Sequence, residues 1–222
     1  MKVLMIAPPG AGKGTQGAVI ARHFGVRHIA TGDLLRDHVA RKTKLGREVQ
    51  QYMECGDLVP DEVVLQMVRE AWEAEPGNGY VLDGIPRTLA QAKALYELAV
   101  ELGMIANIAL HLQVEDAELV RRLSARAAAQ GRADDTDDVI RRRLQLYYDV
   151  THPILEWYGE RGILLSVDAM RPADLVGRHI LTAVEVMRQM IDGNPSARRP
   201  VDLTGLGAAF GASADNGGTA AP

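Results

Sequence analysis

Short apolar runs alternate along the chain with longer stretches in which apolar residues recur at helical spacing. The runs VLMIA (3–7), YVLD (80–83), IALHL (108–112) and ILLSV (163–167) predict buried strands, and RHIA (27–30) is a weaker candidate. Strands that are apolar throughout are typical of a parallel sheet covered on both faces. The pattern therefore predicts an α/β fold in which helices flank a parallel sheet of about five strands.

The stretches with helical spacing predict helices at residues 32–43, 61–73, 88–102, 116–128, 137–158 and 173–190. Two intervals interrupt the alternation of strand and helix. Residues 31–60 contain helical and turn-like segments without a strand of their own, and residues 127–137 form a short polar excursion. Because ligands of open α/β sheets bind at the carboxyl ends of the strands, we predict that both intervals are mobile insertions over such a site.

The last part of the chain lacks this pattern. From Gly193 onward the sequence is dominated by Gly, Ala, Ser, Pro and Asn, without periodicity. Such a segment buries too little apolar surface to offset the entropy that ordering costs. We therefore predict that residues 193–222 form a disordered low-complexity tail without a catalytic role.

Composition excludes several classes of protein. The 222 residues are 47% apolar, which is enough for one domain to build a core without covalent cross-links. The formal net charge of −4 gives no general attraction for nucleic acid or anionic lipid, so neither is expected as a partner. The single cysteine, Cys55, excludes an intrachain disulfide and a four-cysteine zinc site, and it is typical of a cytoplasmic protein. No apolar run approaches the ~20 residues of a membrane span, and the N-terminal run is too short for a signal peptide.

The segment APPGAGKGTQ (7–16) lies between the first predicted strand and a helical stretch. A phosphate-binding loop needs backbone N–H groups directed into one concavity, glycines that leave it open, a helix N-terminus behind it and a lysine. The backbone from Gly10 to Thr15 and the side chain of Lys13 fulfil these needs. The loop departs from the common signature G-x-x-x-x-G-K-[ST], because Ala7 replaces its first glycine and an extra glycine follows the lysine. If residue 7 had a positive φ, alanine there would cost roughly 1–2 kcal/mol.

Four further segments carry motifs: TGDLLR (31–36), GDLVPD (56–61), DGIPRTLAQA (83–92) and GRADDTDDVIRRRL (131–144). Together with the glycine-rich loop, their order and spacing resemble those of the adenylate kinases, in the bacterial form with a short lid. The resemblance extends over residues 1–190 and fails in the tail. Several separate motifs in register make it specific to the nucleoside-monophosphate kinases, and details within them favour AMP as the acceptor.

The resemblance implies a fold and a reaction. The fold is a P-loop core of residues 1–29, 60–125 and 138–192, with an AMP-binding insertion of residues 30–59 and a short lid of residues 126–137. The reaction is reversible phosphoryl transfer from MgATP to AMP, which gives two molecules of ADP. Mg²⁺ is the implied cofactor, structural zinc is not expected, and the family implies a monomer. Such a transfer needs cations around the transferred group, in-line placement and exclusion of water, which two mobile flaps would provide.

Residue by residue, the resemblance implies several sets of site residues. ATP would be bound by Gly10, Ala11, Gly12, Lys13, Gly14, Thr15, Arg122, Arg126 and Arg171. AMP would be bound by Thr31, Arg36, Asp57, Leu58, Val59, Gly84, Ile85, Pro86, Arg87, Gln91, Arg132 and Arg143. The transfer itself would depend on Lys13, Arg87, Arg126, Arg132 and Arg143. Asp83 would hold Mg²⁺ through water, with Asp33 as a second candidate carboxylate.

Taken singly, some of these residues have simpler interpretations. Arg36 alone is as typical of a helix surface, and Gln91 alone is more typical of a solvated amide. Arg141 and Arg142 are expected to form no more than a solvated helix face. Ile85 stands where the family usually has phenylalanine, so we expect an aromatic wall of the AMP site to be missing and AMP affinity to be modestly lower.

Three other functions remain open at this point. A kinase for UMP, CMP or GMP would be expected to alter Thr31 and Gln91. A nucleotide-binding module without catalysis would be suspected first from Ala7, but it would not be expected to retain Lys13 and Arg87. An unrelated P-loop ATPase or GTPase would lack an acceptor site built on TGDLLR and DGIPRT.

Overall fold

The computed structural model describes residues 1–75, 78–130, 136–193 and 201–202 of the chain. Its strands are β1 (Lys2–Ile6), β2 (Arg27–Ala30), β3 (Tyr80–Asp83), β4 (Ile108–Gln113), β5 (Leu164–Asp168) and β6 (Val201–Asp202). They form one parallel sheet in the order β2–β3–β1–β4–β5–β6. The five predicted strands are confirmed to within one residue at each end, and β6 is an addition to them.

Helices follow the strands and cover the sheet. They are α1 (Lys13–Phe24), α2 (Thr31–Ala40), α3 (Lys44–Cys55), α4 (Asp61–Ala74), α5 (Leu89–Glu101), α6 (Asp116–Gln130), α7 (Asp137–Leu146), α8 (Ile154–Glu160) and α9 (Ala173–Gly193). Between α7 and α8, residues Tyr147–Thr151 form a π-helix, which we call the π turn. The predicted α/β class, with helices flanking a parallel sheet, is therefore confirmed.

The core lies on both faces of the central strand β1. In the register of the sheet, Val3 pairs with Val81 of β3 on one side and with Ile108 of β4 on the other, and all three side chains are 0% exposed. Ile20 of α1 and Ile180 of α9 are also fully buried. Coverage on both faces explains why the strand sequences are apolar throughout instead of alternating.

One predicted helix is divided in the structure. The sequence pattern indicates a continuous helix over residues 137–158, whereas the chain forms α7, the π turn and α8 there. The N–H of His152 donates to the carbonyl of Tyr147, five residues earlier, at 2.7 Å. Pro153 follows directly and has no N–H to continue a regular helix, so the change of hydrogen-bond pattern has a local cause.

The structure describes the first predicted insertion in full, and it describes the second insertion and the predicted tail in part. Residues 31–60 contain α2 and α3, as expected for a helical insertion. Residues 131–135, in the predicted lid, lie outside the described residues, and so do residues 194–200 and 203–222 of the predicted tail. Within that tail, Val201 and Asp202 pair with Leu165 and Ser166 of β5.

Because every strand runs in the same direction, the loops that follow the strands gather at one edge of the sheet. The glycine-rich loop follows β1, Thr31 follows β2, and Asp83 is the last residue of β3. The segment from Ala169 to Ala173 follows β5. The fold thus brings the predicted site segments together at the carboxyl edge, where ligands of open α/β sheets bind. No helix among the described residues combines the length and the apolar character needed to cross a bilayer.

Candidate active site

The loop after β1 reaches α1 through two glycines with left-handed backbone conformation. Gly10 has a φ of 87° and Gly12 has a φ of 93°. Residues other than glycine rarely adopt such values. A Cβ at Gly10 would also lie 2.9 Å from Cγ of Leu123 in α6, whereas one at Gly12 would meet no atom within 4 Å. Gly10 therefore allows the loop to pack against α6, and Gly12 leaves it open towards the cleft.

Ala7, which replaces the first glycine of the common signature, does not have a positive φ. Among the described residues, Lys42 is the one non-glycine residue with a positive φ. The side chain of Ala7 is buried, with 6% exposure, and its carbonyl accepts a hydrogen bond from Nζ of Lys13 at 2.8 Å. The alanine therefore introduces no backbone strain, and its carbonyl helps to hold the lysine.

The N-terminus of α1 supplies the donors of a phosphate-binding loop. The N–H of Gln16 donates to the carbonyl of Gly12 at 3.0 Å and makes the first turn of the helix. The N–H groups of Lys13, Gly14 and Thr15 precede that bond, so helix geometry leaves them available to an anion. These residues line the main cleft, so the donors and the positive end of the helix dipole face the same space.

The surroundings of Lys13 disfavour the protonated, positively charged form of its side chain. Desolvation by burial is the largest cause that lowers its pKa, to about 8, and the nearby Asp83 opposes that shift. The positive charges of Arg87, Arg143 and Arg126 lower the pKa further. An anion bound among these cations would favour the charged lysine, which makes this place in the cleft suited to phosphate.

The main cleft has a volume of about 1010 Å³ and lies at the carboxyl edge of the sheet. It brings together most of the residues predicted to bind ATP, to hold Mg²⁺ or to act in transfer, and some of those predicted to bind AMP. Those that line it are Gly10, Ala11, Gly12, Lys13, Gly14, Thr15, Asp33, Arg36, Asp83, Gly84, Arg87, Arg122, Arg126, Arg143 and Arg171. The predicted donor site is thus one continuous space.

A smaller cavity of about 60 Å³ adjoins the main cleft beneath the insertion. It collects most of the residues predicted to bind AMP. Those that line it are Thr31, Arg36, Asp57, Leu58, Val59, Gly84, Arg87, Gln91 and Arg143. Arg36, Gly84, Arg87 and Arg143 line both the cavity and the cleft, so the two predicted nucleotide sites meet at these residues.

Two predicted site residues line neither the main cleft nor the cavity beneath the insertion, and a third lies outside the described residues. Ile85 is 0% exposed and belongs to the hydrophobic core, and it lines neither the main cleft nor the cavity beneath the insertion, so its predicted contact with AMP stays a prediction. Pro86 is buried and lines a third cavity, of about 70 Å³, together with Lys13 and Arg143. Arg132 lies outside the described residues, so its predicted role stays a prediction.

Two of the predicted arginines form ion pairs along their helices. Arg122 donates to Glu118 at 2.7 Å and to the carbonyl of Ala169, after β5, at 2.9 Å. Hydrogen bonds from Arg121, and then from Arg122, lower the pKa of Glu118 to about 2. In the insertion, Arg36 pairs with Asp33, the second carboxylate proposed for Mg²⁺.

Arg142 was expected to be part of a solvated face, but the structure gives it a partner. Its guanidinium pairs at 3.0 Å with Asp57, in the segment between α3 and α4. Both side chains remain partly exposed, so the pair stabilises the fold little. The contact nevertheless joins α7 to the predicted AMP-binding segment. Arg141, which pairs with Asp138 of its own helix, is 75% exposed and fits the expectation of a solvated face.

Sequence reasoning missed some residues that line the main cleft. Glu118 is one of them, and its spacing of three and four residues from Arg121 and Arg122 could have revealed it. Gln16 is another; its side chain is buried and donates to the carbonyl of Ala173 at 2.9 Å. No local pattern signals that contact, because the two residues are 157 positions apart.

Comparison with known proteins matches most of the chain to one protein family. The family model described as adenylate kinase matches residues 5–163. An adenylate kinase of Thermus thermophilus is 44% identical over 184 residues, which cover 83% of this chain and 97% of the relative. Adenylate kinases of Kocuria rhizophila and Thermobifida fusca are 45% and 41% identical, and each alignment covers 83% of this chain and 98% of the relative.

We predict that Ala7→Gly lowers the free energy of unfolding by about 0.5–1 kcal/mol, because it frees the unfolded backbone without relieving strain in the folded one. In the same loop, Gly12→Ala should be destabilising by about 1–2 kcal/mol, because Gly12 has a positive φ. Urea denaturation measures both changes. An Ala7→Gly variant more stable than the parent would show that residue 7 is strained.

We also predict that Lys13 loses its proton near pH 8, so that phosphate binding weakens as the pH rises through this value. An NMR titration of lysine side chains, with Lys13→Met to assign the signal, measures the pKa. Bound inorganic tripolyphosphate should raise the pKa, because it favours the ammonium form. A titration near 10.4 in the free protein, the ordinary value for lysine, would contradict the prediction.

Proposed function

The chain belongs to the adenylate kinase family, and from this premise we propose that it transfers a phosphoryl group reversibly from MgATP to AMP, giving two molecules of ADP. The observation that carries the proposal is that the main cleft and the cavity beneath the insertion meet at shared cations. Arg36, Arg87 and Arg143 line both the main cleft and the cavity beneath the insertion. A donor in the cleft and an acceptor in the cavity would therefore bring their phosphates to one place.

On the donor side, the loop and α1 hold the phosphates of ATP. The N–H groups at the start of α1 bind oxygens, and Lys13 neutralises charge on the outer phosphates. Arg126 approaches the same phosphates from α6. Arg171 and the segment that follows β5 border the end of the cleft where the base would lie.

On the acceptor side, Arg36 and Arg87 hold the phosphate of AMP. A guanidinium can donate two parallel hydrogen bonds to a phosphate, which fixes both its position and its orientation. Arg143 lines the cleft, the acceptor cavity and the third cavity around Lys13. We assign to Arg143 the stabilisation of the group in transit, where charge is spread over its oxygens. The predicted role of Arg132 in closing the lid is retained as part of this proposal.

Asp83 fits a magnesium ion held mainly by nucleotide oxygens and water. Its Oδ2 would lie 3.9 Å from a Cβ on Gly14, so the carboxylate faces the first turn of α1. Among the described residues, no group of three or more His, Cys, Asp or Glu side chains is arranged to bind a metal ion. A magnesium site that combines one carboxylate with phosphates and water needs no such group. When bound, Mg²⁺ would neutralise charge on the donor phosphates.

Gln91 is suited to read the base of AMP. Its Oε1 accepts from the N–H of Arg87, and its Nε2 donates to Asp61, both at 2.7 Å. An amide has two N–H donors and two acceptor positions, so one of each remains for an adenine edge. Thr31, whose hydroxyl donates to the carbonyl of Asp83 at 3.2 Å, borders the same cavity. The comparisons do not favour a kinase for UMP, CMP or GMP, and an assay with each monophosphate tests that alternative directly.

The decisive assay follows ADP formation by the purified protein with MgATP and each monophosphate in turn. We predict that AMP is turned over faster than UMP, CMP and GMP, because the acceptor cavity offers Thr31 and the amide of Gln91 to the base. Phosphate release without an acceptor measures hydrolysis as a control. If AMP gave no turnover above that of the other monophosphates, the proposal would be wrong.

Arg87→Ala should raise the KM for AMP and lower kcat, with a loss of about 100-fold or more in kcat/KM, because the phosphate loses both binding and orientation. Initial-rate kinetics with AMP varied at saturating MgATP measure the effect. Arg141→Ala is the matched control, since Arg141 is 75% exposed and pairs with Asp138. An unchanged kcat/KM in the Arg87 variant would remove this residue from the site.

A further inference from the structure

The π turn holds the main chain of Arg87. Thr151, its last residue, is 7% exposed, and its hydroxyl donates to the carbonyl of Arg87 at 2.8 Å. On the other side of the same residue, the N–H of Arg87 donates to Gln91 at 2.7 Å. The Nε of Arg87 donates to the carbonyl of Gly84, also at 2.7 Å. The backbone of this arginine is therefore fixed from both sides before its guanidinium contacts any ligand.

The first residue of the π turn is anchored to the sheet. The hydroxyl of Tyr147 lies 3.1 Å from Nε2 of His111 in β4, and Nδ1 of His111 lies 3.5 Å from the hydroxyl of Ser166 in β5. Burial, followed by the charges of His152 and Lys13, lowers the pKa of His111 to about 4, so the ring is neutral near pH 7. A neutral imidazole has one donor and one acceptor, and hydroxyl groups can match either.

The anchored turn lies beside the place where transfer would occur. The third cavity, of about 70 Å³, is lined by Lys13, Arg87, Arg143, Tyr147 and Thr151 among others. Arg143 stands in the last turn of α7, directly before the π turn. The π turn thus joins the helix that carries one arginine to the loop that carries the other.

We propose that Thr151 is a positioning residue for phosphoryl transfer, which fixes Arg87 relative to Arg143 through the π turn, with Tyr147 as the anchor of that turn. The inference rests on the function proposed above. Loss of the Thr151 hydroxyl leaves a buried carbonyl without its donor, and the loop at Arg87 relaxes to satisfy it. A small displacement of an arginine that orients a phosphate is sufficient to reduce the rate strongly.

The test compares Thr151→Val, which removes the hydroxyl at nearly constant shape, with Thr151→Ser, which keeps it. Calorimetric titrations with AMP alone and with ATP alone measure the two sites separately, since neither nucleotide reacts without the other. Thr151→Val should lower kcat about tenfold and weaken AMP binding several-fold, while ATP binding stays within twofold of the parent. Thr151→Ser should restore at least half of the parent kcat. Thr182→Val is the matched control, because the exposed Thr182 donates to Arg178 within α9.

A second pair of variants tests the anchor. Tyr147→Phe should lower kcat in the same direction as Thr151→Val, whereas Tyr148→Phe, at the exposed neighbouring tyrosine that bonds to Asp116, should not. The proposal is overturned if Thr151→Val retains the parent kcat and AMP affinity. Equal losses of AMP and ATP affinity would also overturn it, because they would indicate a general effect on folding. A parent protein that forms no ADP from AMP would instead refute the proposed function.

Discussion

The burial of the Lys13 ammonium group beside other cations, at the carboxyl edge of the sheet, is the constraint around which the site is built. Desolvation is the largest cause that lowers the pKa of Lys13, and nearby guanidinium groups lower it further against the opposing charge of Asp83. In the folded protein without a ligand, these cations raise each other's energy. A bound chain of phosphates is negatively charged, so each cation is attracted to it and the electrostatic energy of the cluster falls. The fold therefore holds a cluster of cations around the desolvated Lys13, and a bound anion would stabilise that cluster.

Rigid elements are needed to maintain such a cluster. Lys13 begins α1, Arg126 lies on α6, and Arg143 lies on α7, while Arg87 is in the loop after β3. The fully buried central strands fix where these elements begin and end. Arg87, which has no helix of its own, is instead held by hydrogen bonds from its N–H to Gln91 and from Thr151 to its carbonyl. Each of these cations is thus held either by a helix or, in the case of Arg87, by hydrogen bonds to its backbone.

The amino-acid sequence predicts the strands β1 to β5 well, because strands that are buried on both faces have mainly apolar sequences. It also predicts the residues of the cleft that belong to local motifs, such as Lys13. It does not predict the π turn, because the helical spacing of apolar residues continues through residues 137–158. That spacing does not show to which carbonyl each N–H donates. Nor does it predict the pair of Arg142 and Asp57, which are 85 positions apart. The monomeric state and the cytoplasmic location stay predictions.

In the function proposed here, one cluster of cations binds the phosphates of both nucleotides at once. The most direct test is calorimetric binding of a molecule in which two adenosines are joined through five phosphates, followed by competition with ATP and with AMP. We expect that one molecule binds per chain, displaces both nucleotides and loses affinity as the salt concentration rises. Binding of two molecules per chain, or displacement of ATP while AMP remains bound, would contradict it.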